Sequence, residues 1–347
     1  MTEWRYIDAF AKHFARCRLV ADEVVAVLSE TQSRPALVET ARLAAQSSGA
    51  RVFDVVLATP SSVGPVPIRS TGASQAIAGN AAVIAALAAS GLVIDCTVEG
   101  VLHAPELGEI LRGGARVLMI SNEHPDVFDR LAWDDDLPRR VARAHDLLRD
   151  AHEMRVTSDA GTDLTVDFTG AVTAASTGVT AGSGSIAHWP GGLVIAFPAA
   201  GTVNGTLVMS PGDLNLTFNR TLESPIVLTI VDDHITDISG DGVDAKLFDS
   251  YLASFGDRES YATSHVGWGM NEAARWETVE LYDRRETWGT EARAVAGNFL
   301  YSTGANEIAG RFTAGHFDLP MRNCTVTLDG IAVVERGELV PELRRAQ

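Results

Sequence analysis

The chain has 347 residues, 46% hydrophobic and 21% charged, enough apolar material for a large core and two domains and too ordered a composition for wholesale disorder. A formal net charge of -17, with 28 basic residues and no cluster of them, argues against nucleic-acid and anionic-membrane partners. The longest apolar run, near 81–89, is too short to span a bilayer, and the N-terminus has no basic segment leading into an apolar one, so a soluble cytoplasmic protein is expected.

Strand and helix patterns alternate through the first half. Strands are expected over 24–28, 52–57, 92–96 and 116–120, and helices over 35–48, 73–90, 105–111 and 126–131. This rhythm predicts an α/β domain, an open and mostly parallel sheet with helices on both faces. The first strand-to-helix turn, 29–34, has no glycine, so no dinucleotide fingerprint is present. A long amphipathic helix over 136–154 follows, with three aspartates at its start. Beyond it the texture changes to short Val-, Ile- and Thr-rich runs over 155–168, 192–197, 205–209 and 226–238, and helices are expected over 245–255 and 271–285. The last segment, 324–334, reads as a hairpin turning at Asp329-Gly330. The second domain is therefore α+β and β-rich, with the boundary placed at 1–153 and 154–347. Cys17, Cys96 and Cys324 form no CxxC pattern and read as buried thiols.

The chemistry concentrates in Gly315-His316-Phe317-Asp318-Leu319-Pro320. In an extended segment His316 and Asp318 point to one face, because strand side chains alternate. A distant imidazole would complete two neutral nitrogens and one carboxylate, a set that caps one face of an octahedral Fe(II) and leaves positions open. His265, in the Gly- and Trp-rich run 264–269, is that third candidate. The plain alternative is a surface strand, or a histidine bonded to a neighbouring carboxylate.

Each remaining candidate has an ordinary structural explanation beside it. His188, ahead of a Trp-Pro-Gly-Gly turn, is a candidate general base or a histidine satisfied by a carbonyl. Ser302, ahead of Gly304, is a candidate substrate holder or a turn residue; no Gly-x-Ser-x-Gly elbow surrounds it. His103 follows the third strand, where open α/β sheets bind ligands, or it enters a helix at the surface. His124 and Asp126 read as a helix cap. His13 lies in an N-terminal helical pattern without partners. Glu272, Glu277, Glu280 and Asp283 read as a solvated helix face, or as carboxylates for a second metal.

Three blocks, 264–270, 297–304 and 316–324, resemble the 2,5-dihydroxypyridine 5,6-dioxygenase family, the ring-opening enzymes of bacterial nicotinic acid degradation. His188-Trp189-Pro190 and Leu102-His103-Ala104-Pro105-Glu106 resemble family blocks too. The family is distantly similar to thermophilic-type metallo-aminopeptidases. The resemblance covers essentially the whole chain and implies one Fe(II) on His265, His316 and Asp318. It also implies that His188 helps deprotonate the substrate hydroxyl, that Ser302 steadies the substrate, and that His103 is a mobile acid/base at the pocket mouth. The implied reaction opens a small aromatic ring with O2 to N-formylmaleamate, in a homo-oligomer. Small residues at 181–185 imply a substrate-side wall that differs from the family's. The competing enzyme reading is an aminopeptidase- or amidase-like hydrolase with one or two divalent metals. A third is a catalytically inactive scaffold.

Overall fold

The computed structural model describes residues 2–61, 74–180, 182–284 and 286–345. The expected helix start at Ala73, the first residue of the 181–185 stretch, Ala181, and the end of the 271–285 helix, Arg285, lie outside them. The first half runs α1 (Trp4–Arg16), β1 (Val24–Glu30), α2 (Pro35–Ser47), β2 (Arg51–Leu57), α3 (Ala81–Ala88), β3 (Leu92–Asp95), α4 (Leu107–Arg112), β4 (Arg116–Met119), α5 (Asp126–Arg130) and α6 (Leu137–Asp150). Then come β5 (Glu153–Ser158), β6 (Asp163–Asp167), β7 (Val172–Ser176), β8 (Ile186–His188), β9 (Leu193–Phe197), β10 (Val203–Met209), β11 (Leu214–Asn215), β12 (Arg220–Thr221), β13 (Ile226–Val231) and β14 (His234–Ser239). The chain closes with α7 (Val243–Ser254), β15 (Thr263–Gly269), α8 (Thr278–Leu281), α9 (Glu291–Ala294), β16 (Phe299–Asn306), β17 (Arg311–Met321), β18 (Cys324–Leu328), β19 (Ile331–Glu335) and β20 (Glu338–Leu339).

Five strands form a parallel sheet in the order β2-β1-β3-β4-β8. β3 and β4 are buried along their whole length, as strands covered on both faces must be. One cover packs α1, α2 and α5 through Phe10, Phe14, Leu37, Ala41 and Phe128; the other packs α3 and α4 through Ile84, Leu87 and Ile110. The α/β architecture is thus the expected one. Its fifth strand, β8, comes from beyond the long helix and ends on His188.

Among the described residues the rest of the chain builds two large antiparallel sheets and a two-stranded one, β11-β12. Of the two large sheets, one has eight strands in the order β14-β13-β10-β6-β5-β18-β19-β20, the other five in the order β17-β16-β15-β9-β7. Leu164, Leu207 and Leu228 of the larger sheet share one core with Val266, Trp268, Phe299, Tyr301, Phe317 and Leu319 of the smaller. Strand alternation then dictates the other face. With Phe317, Leu319, Val266 and Tyr301 in the core, His316, Asp318, His265 and Ser302 turn the opposite way, toward the α/β half.

Three expected helices are shorter; the long one predicted over 136–154 ends at Asp150, and β5 begins at Glu153. The helix predicted over 73–90 covers Ala81–Ala88, because the Asn80 side chain accepts from Val83 N and fixes the start. Among the described residues of the helix predicted over 271–285, helix is confined to the four-residue α8. Asn271 explains this: its side chain accepts from Ala273 N and donates to Gly191 O, while its backbone donates to Ala294 O. The Ala273 bond competes with the helical ladder, and the two distant ones hold Asn271 outside it.

Candidate active site

β15, β16 and β17 lie side by side and carry the predicted residues. In the β16–β17 register Ser302 faces Asp318 and Gly304 faces His316. An irregularity in β15 between Thr263 and Val266 accompanies His265's approach to the same group. Gly304 has φ +100°, and a Cβ there would stand 1.8 Å from the Gly315 carbonyl oxygen, so only glycine lets the strands close here. His265, Ser302, His316 and Asp318 are all buried.

Asp318 Oδ1 lies 3.3 Å from His316 Nε2 and 3.6 Å from His265 Nε2. Ser302 Oγ donates to the same Oδ1 and lies 3.0 Å from His265 Nε2. The other carboxylate oxygen, Oδ2, accepts from Arg293 Nε at 2.5 Å. Burial alone would raise the Asp318 carboxyl, but Arg293 and then His316 hold it well below the usual carboxylate range. The site therefore keeps an ionised carboxylate.

Proton accounting shows what fits beside it. Burial, assisted by His316, His103 and Arg293 against Asp318, lowers His265 to about 3, so its ring is neutral and carries one N–H. Ser264 Oγ spends its proton on the Ala305 carbonyl and lies 3.1 Å from His265 Nδ1, so the N–H belongs on Nδ1. His265 Nε2 is then bare and faces Ser302 Oγ, whose proton is spent on Asp318. A lone pair aimed at acceptors calls for a cation. His316 Nδ1 and His103 Nε2 are also buried without a partner. His103, His265 and His316 offer ring nitrogens within 4.8 Å of one another. Imidazole nitrogens with a carboxylate suit a divalent transition metal. Two sets can hold it: His265 and His316 with Asp318, or the same two with His103.

The donors open onto an apolar cavity of about 180 Å³, walled by Leu102, Met119, Ile186, Leu193, Ile195 and Phe197. Cavities of roughly 150 Å³ accept benzene, so a six-membered ring fits. The segment 182–185 does not line it; Ala174, Ala175 and Ser176 of β7 do. His188 enters from β8, at the carboxyl end of the parallel sheet. Burial first, then Arg293, lower its pKa to about 3, while Asp318 opposes. His103 enters from the loop after β3; its ring lies 4.9 Å from that of His316, and its Nδ1 lies 3.3 Å from Glu307 Oε2.

The structure thus gathers His103, His188, His265, His316 and Asp318 around one cavity, with Ser302 behind them, bonded to Asp318 and beside His265. Arg293 and Glu307 were missed. The signal for Arg293 was a lone arginine among small apolar residues, Glu291-Ala292-Arg293-Ala294-Val295-Ala296; Nη1 of this buried side chain has no partner. Nothing in the sequence marks Glu307. The other candidates fall outside. His124 Nδ1 accepts from Asp126 N at the start of α5 and its ring stacks on Tyr282. Among the described residues, Glu272, Glu277, Glu280 and Asp283 join no metal-holding group.

Comparison with known proteins places the chain in a family. The family model for NicX, 2,5-dihydroxypyridine 5,6-dioxygenase, matches residues 5–341. A 2,5-dihydroxypyridine 5,6-dioxygenase of Pseudomonas putida KT2440 is 38% identical over 336 residues, 95% of each chain. The solved structure of 2,5-dihydroxypyridine dioxygenase from Pseudomonas putida KT2440 superposes with a TM-score of 0.90 at 35% identity, covering 98% of both chains. Wild-type AmpT from Thermus thermophilus shares the fold more distantly, with a TM-score of 0.62 at 12% identity over 97% of this chain and 99% of its own. The chain is a member of the 2,5-dihydroxypyridine 5,6-dioxygenase family.

Proposed function

We propose that this enzyme opens the ring of 2,5-dihydroxypyridine, or a close hydroxypyridine, with O2 to N-formylmaleamate, using one Fe(II) held by His265, His316 and Asp318. The observation that carries the reading is the bare His265 Nε2 beside an ionised Asp318, opening onto a cavity of aromatic-ring size. Fe(II) held there supplies the Lewis acidity and electron transfer that dioxygen chemistry requires.

The chain's own residues do the rest. The apolar walls take the ring and exclude water. His188, neutral through burial, accepts the hydroxyl proton of the ring. Arg293 Nη1, buried and without a partner, donates to the oxygen left behind. Ser302 fixes the Asp318 carboxylate and steadies the substrate hydroxyl next to it. His103 serves as the acid/base at the mouth. The reading also carries a homo-oligomer working in the cytoplasm; no helix among the described residues is long and apolar enough to cross a membrane.

The test is anaerobic loading with Fe(II), then 2,5-dihydroxypyridine in air, following oxygen uptake and loss of aromatic absorbance. One O2 per ring opened supports the reading. No uptake by iron-loaded protein overturns it, and two zinc-like ions per chain with amide hydrolysis would put the hydrolase in its place.

A further inference from the structure

We infer that Glu307 is a positioning residue for His103: it reaches across the cleft, takes the Nδ1–H of His103, and so directs the bare Nε2 of that ring into the site. This rests on the acid/base role proposed for His103. Three observations carry it. His103 is buried and its Nδ1 lies 3.3 Å from Glu307 Oε2, while its Nε2 is buried without any partner. An ionised carboxylate only accepts, so a neutral His103 bonded to it carries its proton on Nδ1 and presents a lone pair at Nε2. The alternative tautomer would aim an N–H at the neighbouring imidazoles and leave two acceptors facing each other at Glu307.

Glu307 is held well enough to do this. It opens a single 3-10 turn, Glu307–Ala309, at the tip of the β16–β17 hairpin, the same hairpin that bears Ser302, His316 and Asp318. Asn306, fully buried, pins that tip: Nδ2 donates to the Pro198 and Ser264 carbonyls at 3.0 Å each, and Oδ1 accepts from Ala309 N at 3.1 Å. His103 comes from the opposite half of the molecule. Its loop backbone is fixed through Val101 N to Asp95 Oδ2 and Gly100 N to Thr97 Oγ1, but these bonds leave the ring free to turn. Glu307 supplies the missing constraint from the other side of the cleft. A second carboxylate or hydroxyl on the α/β half could not give the same register between His103 and the β17 residues.

The test compares E307A, E307Q, H103A and H103A/E307A as full-length Fe(II)-loaded proteins, with iron content and thermal midpoint recorded for each. An acid/base contributes about a hundredfold or more, and removing the partner that orients it should forfeit part of that, about tenfold or more. E307A should show that loss in kcat, with KM and iron content near those of the wild type. E307Q should recover most of it, because the amide oxygen accepts the same N–H. In the H103A background, removing Glu307 should cost nothing further. An E307A enzyme as fast as an active wild type overturns the inference. So does an equal loss in the H103A background, or iron content falling in step with kcat. Nitrogen-15 NMR of ring-labelled histidine in the zinc-loaded protein reads the tautomer without any turnover. His103 protonated on Nδ1 in the wild type, and losing that preference in E307A, supports the inference; Nε2–H in the wild type overturns it. If the wild type consumes no oxygen, the proposed reaction fails, and the NMR result still decides the role of Glu307.

Discussion

Both oxygens of Asp318 are engaged before any ligand arrives, one by Arg293 and one by Ser302. That arrangement has a physical logic. A lone buried carboxylate would be protonated and useless as a metal ligand, because desolvation disfavours the charged form. The Arg293 guanidinium keeps it ionised, and Ser302 aims Oδ1 between the two imidazoles. The proposed ligand set makes a prediction at this scale. H265A, H316A and D318A should each come off a desalting column without stoichiometric iron and with turnover at background. H188A should keep its iron and lose on the order of a hundredfold in kcat, the usual contribution of a general base. H103A should likewise keep its iron. Metal analysis of the desalted variants decides: if H103A sheds iron while D318A retains it, the metal belongs to the three imidazoles instead.

Among the elements, α1 shows what burial does to an ionisable group away from the site. Tyr6, Ile7, Phe10, His13 and Phe14 recur at helical spacing and turn one stripe to the core. The sequence pattern leaves His13 without a partner, yet its Nε2 donates to the Gly178 carbonyl, 2.8 Å away and 165 residues along the chain. Burial lowers its pKa to about 4, outweighing the Gly178 bond that opposes it. A depressed pKa gives stability that is complete above the unfolded value near 6.5 and is lost as pH falls through the folded value. Wild-type protein should therefore lose more stability than H13Q between pH 7 and 4, by on the order of 3 kcal/mol. The glutamine side chain of that variant keeps an amide N–H for Gly178 but takes up no proton. Urea unfolding at a series of pH values measures the difference, and parallel curves for the two proteins would sink the assignment. Legibility followed the same divide between local and distant causes. The parallel strands, the 324–334 hairpin and the common face of His316 and Asp318 follow from local period and turn chemistry. The short α8 does not, because Asn271 bonds to Gly191 and Ala294 and no local pattern reports partners so far away. Glu307 was invisible for the same reason: its meaning depends on His103, brought to it from the other half of the chain.

At the scale of the whole molecule, the site needs both halves held in register, and the structure shows what holds them. Glu123, just after β4 and fully buried, accepts from Thr287 Oγ1 and Trp288 N on one oxygen and from Thr290 N and Thr290 Oγ1 on the other, at 2.7–3.1 Å. Trp288 Nε1 donates to the Val98 carbonyl at 2.8 Å. Next along the chain, Glu291 takes a forked bond from Arg130 of α5 at 2.5 and 2.9 Å. Segment 287–291 is thus tied to the α/β half and leads directly into Arg293, which grips Asp318. The metal ligands proposed on β15 and β17 lie outside this tie, whereas Arg293 depends on it. E123Q separates the two. Its amide nitrogen would face donors where a carboxylate oxygen had accepted, and a buried donor left unpaired costs about 1–3 kcal/mol. The variant should unfold at lower denaturant by that amount, keep its iron because Arg293 Nε stays on Asp318, and show a raised KM for the dihydroxypyridine as Arg293 Nη1 loses its aim. Iron lost from E123Q would mean that the α/β half also supports the metal ligands; a KM equal to the wild type's would mean that Arg293 is held by Asp318 alone.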